Sequence, residues 1–229
     1  MLIIGHRGAS GLEPENTIRS FKKAEELKVD MIEMDLRESK DGQVIIFHDH
    51  SLKRLFGINK AVKHLTVVEL KEISISREIP TLDEVLSTIN SDLQLDVKVH
   101  GLEEKILAKI KNFPHKVLIS SFYPKVLKKI RALDGNIPLA LVIPIKKFHL
   151  IAIANFLTRK LNLEAIHPRN YIVSLPLIAL FRRSGKKINA WTVNSESEYR
   201  RMQKLGIDGI FTDCPQLFSA QGGPASGGK

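Results

Sequence analysis

Apolar residues occur in two kinds of run that alternate along the chain. Short runs rich in Val, Ile and Leu predict β-strands, and longer runs with an apolar residue every three or four positions predict amphipathic helices. Eight strands are predicted in this way, at residues 2–4, 31–36, 93–99, 117–120, 139–143, 165–167, 188–193 and 209–212. Helices are predicted between them at residues 17–27, 102–111, 125–133, 147–157, 175–183 and 196–205.

This alternation of eight strands with helices favours a (β/α)8 barrel, or TIM barrel, with a doubly wound open sheet as the alternative. An extra strand at 44–47 and helical stretches at 66–73 and 82–89 predict a small insertion between the second and third strands. Because no strong repeat or interior linker interrupts the pattern, residues 1–218 are expected to form a single domain. Residues 219–229 contain four glycines and no apolar anchor, which predicts a flexible C-terminal tail.

Acidic residues interrupt the second predicted strand in an unusual way. Side chains alternate across a strand, so Glu33 and Asp35 share one face and the aliphatic residues between them share the other. Two neighbouring carboxylates on a buried strand repel each other and are costly to desolvate. A bound cation would relieve both penalties, whereas an exposed edge strand would need no cation. Since a closed barrel has no edge strand, we favour a metal site.

The third predicted strand repeats this arrangement with Asp96 and Lys98 on one face. Three carboxylates from adjacent strands predict an all-oxygen site for Mg²⁺ or Ca²⁺. The single cysteine, Cys214, and the lack of a Cys or His cluster argue against structural zinc. For Lys98, an internal ion pair is a competing interpretation.

Two histidines follow predicted strands, where barrel enzymes place their catalytic groups. His6 precedes Arg7 directly after the first strand, and His48 follows the extra strand. Imidazole is a natural general acid or base near neutral pH, and the side chains of Arg7 and Lys98 supply positive charge for a phosphoryl oxygen. This combination indicates phosphate-ester chemistry. Trp191, the only tryptophan, would either form a wall of the substrate pocket or pack in the core.

The charge balance agrees with an anionic ligand. The chain contains 35 basic and 25 acidic residues, for a formal net charge of +10. Such a charge suits nucleic acid, a membrane surface or a phosphorylated small molecule. The N-terminus lacks the layout of a signal peptide, and the single cysteine fits a reducing compartment, so a cytoplasmic location is expected.

Several motifs in order along residues 2–218 resemble the glycerophosphodiester phosphodiesterase family. They are His6-Arg7-Gly8, Pro14-Glu15-Asn16-Thr17, Glu33-Met34-Asp35, Ser39 with Asp41, His48-Asp49, Leu52 with Arg54 and Gly57, Ile79-Pro80-Thr81-Leu82-Asp83-Glu84-Val85-Leu86, Trp191-Thr192-Val193-Asn194 and Asp208-Gly209-Ile210-Phe211-Thr212-Asp213-Cys214-Pro215. The resemblance implies a TIM barrel with the family's insertion and a divalent metal, Mg²⁺ or Ca²⁺. It also implies hydrolysis of glycerophosphodiesters to sn-glycerol 3-phosphate and an alcohol.

The resemblance also implies a role for each matching residue. Carried over position by position, Glu33, Asp35 and Asp96 would hold the metal, His6 and His48 would be the acid–base pair, Arg7 and Lys98 would contact the phosphate, and Glu15 and Asn16 would shape the loop around His6. One position departs from the family pattern, because Asp96 stands where a glutamate is usual. The shorter side chain would bind the ion through water or draw it inward, which affects metal preference more than activity.

Two other functions fit parts of the same pattern. A related barrel could act on lysophospholipids, in which case residues 148–157, preceded by two lysines, are the segment to test for membrane contact. A non-catalytic binding module on the same fold would need neither histidine nor the three carboxylates. We do not expect nucleic-acid binding, because the basic residues are scattered and no RNP-like, helix-turn-helix or zinc-finger pattern is present. The sequence does not determine the oligomeric state.

Overall fold

The structure, a computed structural model, describes residues 1–74, 78–144 and 148–218. Within these residues, the strands are β1 (Leu2–Gly5), β2 (Met31–Glu38), β3 (Val44–Ile46), β4 (Leu93–Val97), β5 (Val117–Ser121), β6 (Leu139–Ile143), β7 (Ala165–Pro168), β8 (Lys187–Ala190) and β9 (Gly209–Thr212). All except β3 pair in parallel, and β1 pairs with both β2 and β9. This pairing closes the sheet into the predicted (β/α)8 barrel and excludes the open sheet.

Helices connect the strands around the outside of the barrel. They are α1 (Ile18–Glu26), α2 (Lys53–Phe56), α3 (Val67–Ile73), α4 (Leu82–Thr88), α5 (Glu103–Ile110), α6 (Pro124–Leu133), α7 (Phe148–Lys160), α8 (Leu175–Arg182) and α9 (Glu196–Leu205). None of the helices in the described ranges is long and apolar enough to cross a membrane. The predicted tail at 219–229 and the predicted helix start at residue 147 lie outside the described residues.

Two strand predictions were too long at the C-terminal end. The strand predicted at 93–99 ends at Val97, and the one predicted at 188–193 ends at Ala190. Apolar residues beyond these points extended the sequence pattern, but the backbone there is no longer part of the strand. As a result, Lys98 and Trp191 lie on loops at the mouth of the barrel.

The barrel interior is apolar at one end and polar at the other. Leu118, Ala140 and Ala165 form a small buried cluster, against which Met31 packs. These residues lie toward the N-terminal ends of their strands, so they close that end of the barrel. Two positions further along β2, β5 and β7 the side chains are polar, namely Glu33, Ser120 and His167, and all three line a cavity at the C-terminal end.

The predicted insertion between β2 and β4 is present and has a core of its own. Its strand β3 pairs antiparallel with β2, with Leu36 opposite Ile46. The buried residues of this core are Ile45, Phe47, Leu52, Val62, Leu65, Leu70 and Ile79. Packing on both sides of residues 48–51 fixes that loop, which carries His48, over the mouth of the barrel.

The last helix of the insertion begins with a capping box. Thr81 Oγ1 accepts a hydrogen bond from the Glu84 backbone N–H at 3.3 Å, and the Glu84 carboxylate accepts one from the Thr81 backbone N–H at 2.8 Å. Because these N–H groups would otherwise lack partners in the helix, we expect Thr81→Ala to lower the free energy of unfolding by about 1 kcal/mol. The matched change Thr88→Ala, at an exposed position of α4, should alter it by less than about 0.5 kcal/mol. Equal effects of the two substitutions in urea unfolding would contradict this prediction.

Candidate active site

A cavity of about 370 Å³ opens at the C-terminal ends of the barrel strands. Seven of the eight site residues predicted from the sequence line it: His6, Arg7, Glu33, His48, Asp96, Lys98 and Trp191. The eighth, Asp35, is buried directly beside them. A larger depression of about 480 Å³ beside α1 and α4 contains none of these residues. We therefore place the candidate active site in the barrel mouth.

The three acidic residues form a buried triad. Asp35 on β2 is the register partner of Asp96 on β4, and Glu33 precedes Asp35 on the same face. One oxygen from each of the three carboxylates lies within 4.8 Å of the others. Burial, together with the neighbouring charge of Asp35, raises the pKa of Glu33 to about 7. This repulsion is the penalty that the sequence pattern predicted.

Two cations partly compensate the charge of the triad. Lys98 Nζ lies 2.9 Å from Asp35 Oδ1 and also donates to Asp96 Oδ2. Arg7 Nε lies 3.2 Å from Asp35 Oδ2, and the Arg7 backbone N–H donates to Glu33 Oε2 at 2.8 Å. Burial by itself would raise the pKa of Asp35, but Lys98 and Arg7 hold it well below its usual range. The internal ion pair considered for Lys98 is thus present.

The triad fits a divalent cation in its chemistry. All three side chains offer carboxylate oxygens, which Mg²⁺ and Ca²⁺ prefer. Three acidic groups face only two basic groups there, so a negative charge is left for a cation to balance. Asp35 Oδ1, although near Lys98 Nζ, accepts no hydrogen bond of good geometry from the described residues. Asp96 is held toward β5, because its Oδ1 accepts a hydrogen bond from Ser120 Oγ at 2.9 Å.

His6 is paired with an aspartate from the end of β9. Its Nδ1 lies 2.6 Å from Asp213 Oδ1, which also accepts from Ser10 Oγ at 2.9 Å. Asp213 Oδ2 accepts from Asn194 Nδ2 at 2.6 Å. Burial tends to lower the pKa of His6, but the hydrogen bond to Asp213 and the charge of Glu33 outweigh it, so the pKa is raised. His6 is therefore suited to carry a proton.

His48 has a similar partner and the opposite shift. Its Nδ1 lies 2.6 Å from Asp49 Oδ1, and Asp49 Oδ2 accepts from Arg54 Nε at 2.6 Å. Arg54 also donates to both carboxylate oxygens of Glu15, which in turn accepts from Arg7. Burial, with smaller contributions from the nearby cations, lowers the pKa of His48, although the charge of Asp35 and the hydrogen bond with Asp49 act in the opposite direction. His48 is therefore suited to accept a proton.

The loop between β1 and α1 is held in an uncommon conformation around these groups. Arg7 and Asn16 have positive φ angles of 56° and 59°, which most non-glycine residues avoid. Asn16 Nδ2 donates to Asp35 Oδ2 at 2.8 Å, and the Asp35 backbone N–H donates to Asn16 Oδ1 at 3.2 Å. Asn16 therefore orients a triad carboxylate, which is more than the shaping of the His6 loop that the sequence predicted.

On the side of the cavity opposite the triad, aromatic residues lie at the mouth and a polar residue, His167, lies deeper in the barrel. Trp191 packs edge-to-face with Phe122 at 5.8 Å between ring centroids, and its Nε1 donates to the His167 carbonyl at 2.8 Å. Burial lowers the pKa of His167 to about 3, so this imidazole is neutral. Trp191 thus lines the cavity and is half-buried, so it is not part of the core, which was the other position considered for it.

Sequence reasoning missed several residues of the site. Asp213 and Arg54 were noted only as parts of motifs. Asp213 is the partner of His6, and Arg54 holds Asp49, which is the partner of His48. Asn194 was likewise only part of a motif, and it donates to Asp213, whereas the neighbouring Ser195 caps α9. Asp213 is distant from His6 along the chain, and Arg54, although five positions from Asp49, also bonds to the distant Glu15. Only the places of these residues within the family-like motifs could have indicated them.

Comparison with known proteins agrees with this geometry. A sequence model of the glycerophosphoryl diester phosphodiesterase family matches residues 6–217. A glycerophosphodiester phosphodiesterase of Caldanaerobacter subterraneus subsp. tengcongensis is 31% identical, over 95% of this chain and 96% of its own. A crystal structure of a glycerophosphodiester phosphodiesterase from Thermotoga maritima superposes with a TM-score of 0.84 at 30% identity, covering 95% and 96% of the two chains. A phosphodiesterase from Oleispira antarctica, in complex with the product sn-glycerol-3-phosphate, has a TM-score of 0.84 at 26% identity, with 94% of each chain covered.

Proposed function

The chain belongs to the glycerophosphoryl diester phosphodiesterase family, and from that premise we propose that it hydrolyses glycerophosphodiesters to sn-glycerol 3-phosphate and the free alcohol. The observation that carries this proposal is the convergence of two His–Asp pairs, three carboxylates and two cations on one cavity. The product bound to the Oleispira antarctica relative supports the same reaction.

The triad of Glu33, Asp35 and Asp96 holds a divalent cation in this proposal, either Mg²⁺ or Ca²⁺. When bound, such an ion supplies positive charge to a phosphate oxygen as negative charge develops in the transition state. The family relationship and the all-oxygen donor set support a divalent ion. The choice between the two ions is a matter for experiment.

Arg7 and Lys98 bind the remaining phosphate oxygens. Both side chains line the cavity, and their ion pairs with Asp35 fix their head groups before substrate enters. Such prearranged charges stabilise the developing negative charge without reorganisation at the moment of reaction. Trp191 forms the opposite wall of the substrate pocket.

The two histidines transfer the protons. His48, whose pKa is lowered, takes a proton from the attacking hydroxyl, which belongs to water or to C2 of the glycerol. When the C2 hydroxyl attacks, loss of the alcohol leaves a cyclic phosphate, which water opens to sn-glycerol 3-phosphate in a second step. His6, whose pKa is raised, donates a proton to the oxygen of the departing alcohol. In each case the aspartate at Nδ1 leaves Nε2 as the reacting nitrogen.

This assignment predicts how each aspartate shapes the pH profile of kcat/KM. Because His6 must be protonated, the rate falls as the pH rises through its pKa. Asp213→Asn removes the charge of Asp213 and weakens its hydrogen bond, both of which raise this pKa, so the alkaline limb should move to lower pH. Asp49→Asn lowers the pKa of His48 further, so the acid limb, where His48 becomes protonated, should move to lower pH instead. The assignment is wrong if Asp213→Asn moves the acid limb alone.

The proposed function itself is tested by measuring release of sn-glycerol 3-phosphate from glycerophosphocholine and glycerophosphoethanolamine. Parallel reactions contain EDTA, Mg²⁺ or Ca²⁺. We expect release with at least one of the metals and none with EDTA. If neither compound is cleaved under any condition, while a lysophospholipid is, the substrate assignment is wrong and the lysophospholipid alternative replaces it. If nothing is cleaved, the binding-module alternative stands.

A further inference from the structure

One cation on the rim of the cavity differs from the others. Arg169 follows β7 at the mouth of the barrel, is exposed, and lines the cavity. Arg7 and Lys98 each have carboxylate partners. In residues 1–74, 78–144 and 148–218, by contrast, no carboxylate lies within ion-pair distance of the Arg169 guanidinium, and no hydrogen bond engages it. Its charge is therefore available to a ligand.

The position of Arg169 is nonetheless fixed. Its backbone N–H donates to the Ile143 carbonyl at 3.1 Å, and its backbone forms a parallel bridge with Trp191. Its guanidinium carbon, Cζ, lies over the Trp191 ring, 4.8 Å from the ring centroid. The same atom is 5.8 Å from the centroid of the Tyr171 ring. A guanidinium that lies over an aromatic ring still has N–H groups at its edge, and these can bind an anion in a bidentate manner.

Arg169 lies across the cavity from the triad. Around the closed ring, four steps separate β7 from β2, the strand that carries Glu33 and Asp35. In a ring of eight strands, four steps is the opposite wall. When the phosphate binds at the triad, one half of the substrate lies on the floor of the cavity. The other half reaches the rim of the opposite wall, where Arg169 lies.

The floor suits the glycerol half. It is formed by Gln94, Ser120 and His167, which are all almost completely buried. Gln94 Nε2 is engaged by Ser120 Oγ and His167 Nδ1, whereas Gln94 Oε1 is buried without a hydrogen-bond partner among the described residues. Because an unpaired buried acceptor is costly, a hydroxyl donor is favoured there. With glycerol on the floor, the alcohol half extends to the rim beside Arg169.

We propose that Arg169 selects substrates whose alcohol half carries a negative charge, either a carboxylate or a phosphate. The proposal rests on the proposed function, because it names the substrate class of the same site. A quaternary ammonium headgroup would meet like charge at this position. An acidic headgroup would meet a stacked guanidinium whose donors are not engaged by other described residues.

The test compares two pairs of substrates that each differ by one acidic group. Glycerophosphoserine differs from glycerophosphoethanolamine by a carboxylate, and glycerophosphoglycerol with a terminal phosphate differs from glycerophosphoglycerol by a phosphate. For the wild type, we expect kcat/KM to be about tenfold higher for the acidic member of at least one pair, as for one charge-assisted contact. The pair with the larger ratio identifies the acidic group. This preference should weaken at high salt.

Three variants separate recognition from general damage. Arg169→Gln should bring the ratio near one, and Arg169→Glu should reverse it, since a reversed preference cannot result from poor folding. Arg183→Gln removes the same charge from an exposed position at the far end of α8 and should keep the wild-type ratio. Ratios near one in the wild type, ratios retained in Arg169→Gln, or an equal loss for all four substrates would each overturn the proposal. Hydrolysis of glycerophosphoethanolamine by the wild type tests the proposed function separately.

Discussion

Asp35→Asn is expected to lower kcat/KM by about a thousandfold or more, which corresponds to the several kcal/mol that a bound metal ion supplies to a transition state. Asp35 is in ion-pair contact with both Arg7 and Lys98, and one of its oxygens belongs to the proposed metal site. The amide keeps the shape of the side chain but removes its charge. The substitution therefore affects metal binding and the placement of both cations at once.

The measurement combines steady-state kinetics with calorimetric titration of Mg²⁺ and Ca²⁺. Asp83→Asn is the matched control, since Asp83 is an exposed residue of α4 that pairs with Lys109. We expect the control to bind metal and to turn over substrate as the wild type does. If Asp35→Asn binds metal with wild-type affinity or keeps activity within tenfold of the wild type, the assignment of the triad is wrong.

His6→Ala and His48→Ala are each expected to lower kcat by at least about a hundredfold, the usual contribution of a general acid or base. KM should change much less, because the proposed mechanism assigns phosphate binding to the cations and the metal rather than to the histidines. Each variant should also lose one limb of its pH profile, the alkaline limb for His6→Ala and the acid limb for His48→Ala.

His50→Ala is the control for this pair, since His50 is an exposed histidine two residues from His48 on the same loop. We expect it to keep wild-type turnover and both limbs of the pH profile. The histidine assignment fails if both site variants keep near-wild-type kcat, or if His50→Ala loses as much activity as His48→Ala.

Much of the fold could be predicted because its signals are local. Apolar runs of three to seven residues marked the barrel strands, and the two-residue alternation placed Glu33, Asp35 and Asp96 on inward faces, where the structure shows them. The ends of β4 and β8 were wrong by two and three residues. At those points the apolar pattern continues into loops, so it gives no indication of where the ladder ends.

The partners of the site residues could not be predicted on the same basis. Asp213 is 207 positions from His6, and Glu15 is 39 positions from Arg54. Such contacts depend on how the closed barrel brings strand ends together, which no local pattern records. Arg169 likewise gave no signal in the sequence, because an arginine after a short strand is ordinary until the ring places it opposite β2.

The groups around the triad also have a consequence for the order in which ligands bind. When all are ionised, the three carboxylates and the cations Arg7 and Lys98 together carry a net charge of minus one. A phosphodiester, itself a monoanion, would be repelled by that cluster. With a divalent ion in place the cluster carries plus one, and with the phosphodiester added it becomes neutral. Substrate is therefore expected to enter only after the metal, and release of the more highly charged phosphomonoester product should not require the metal to leave.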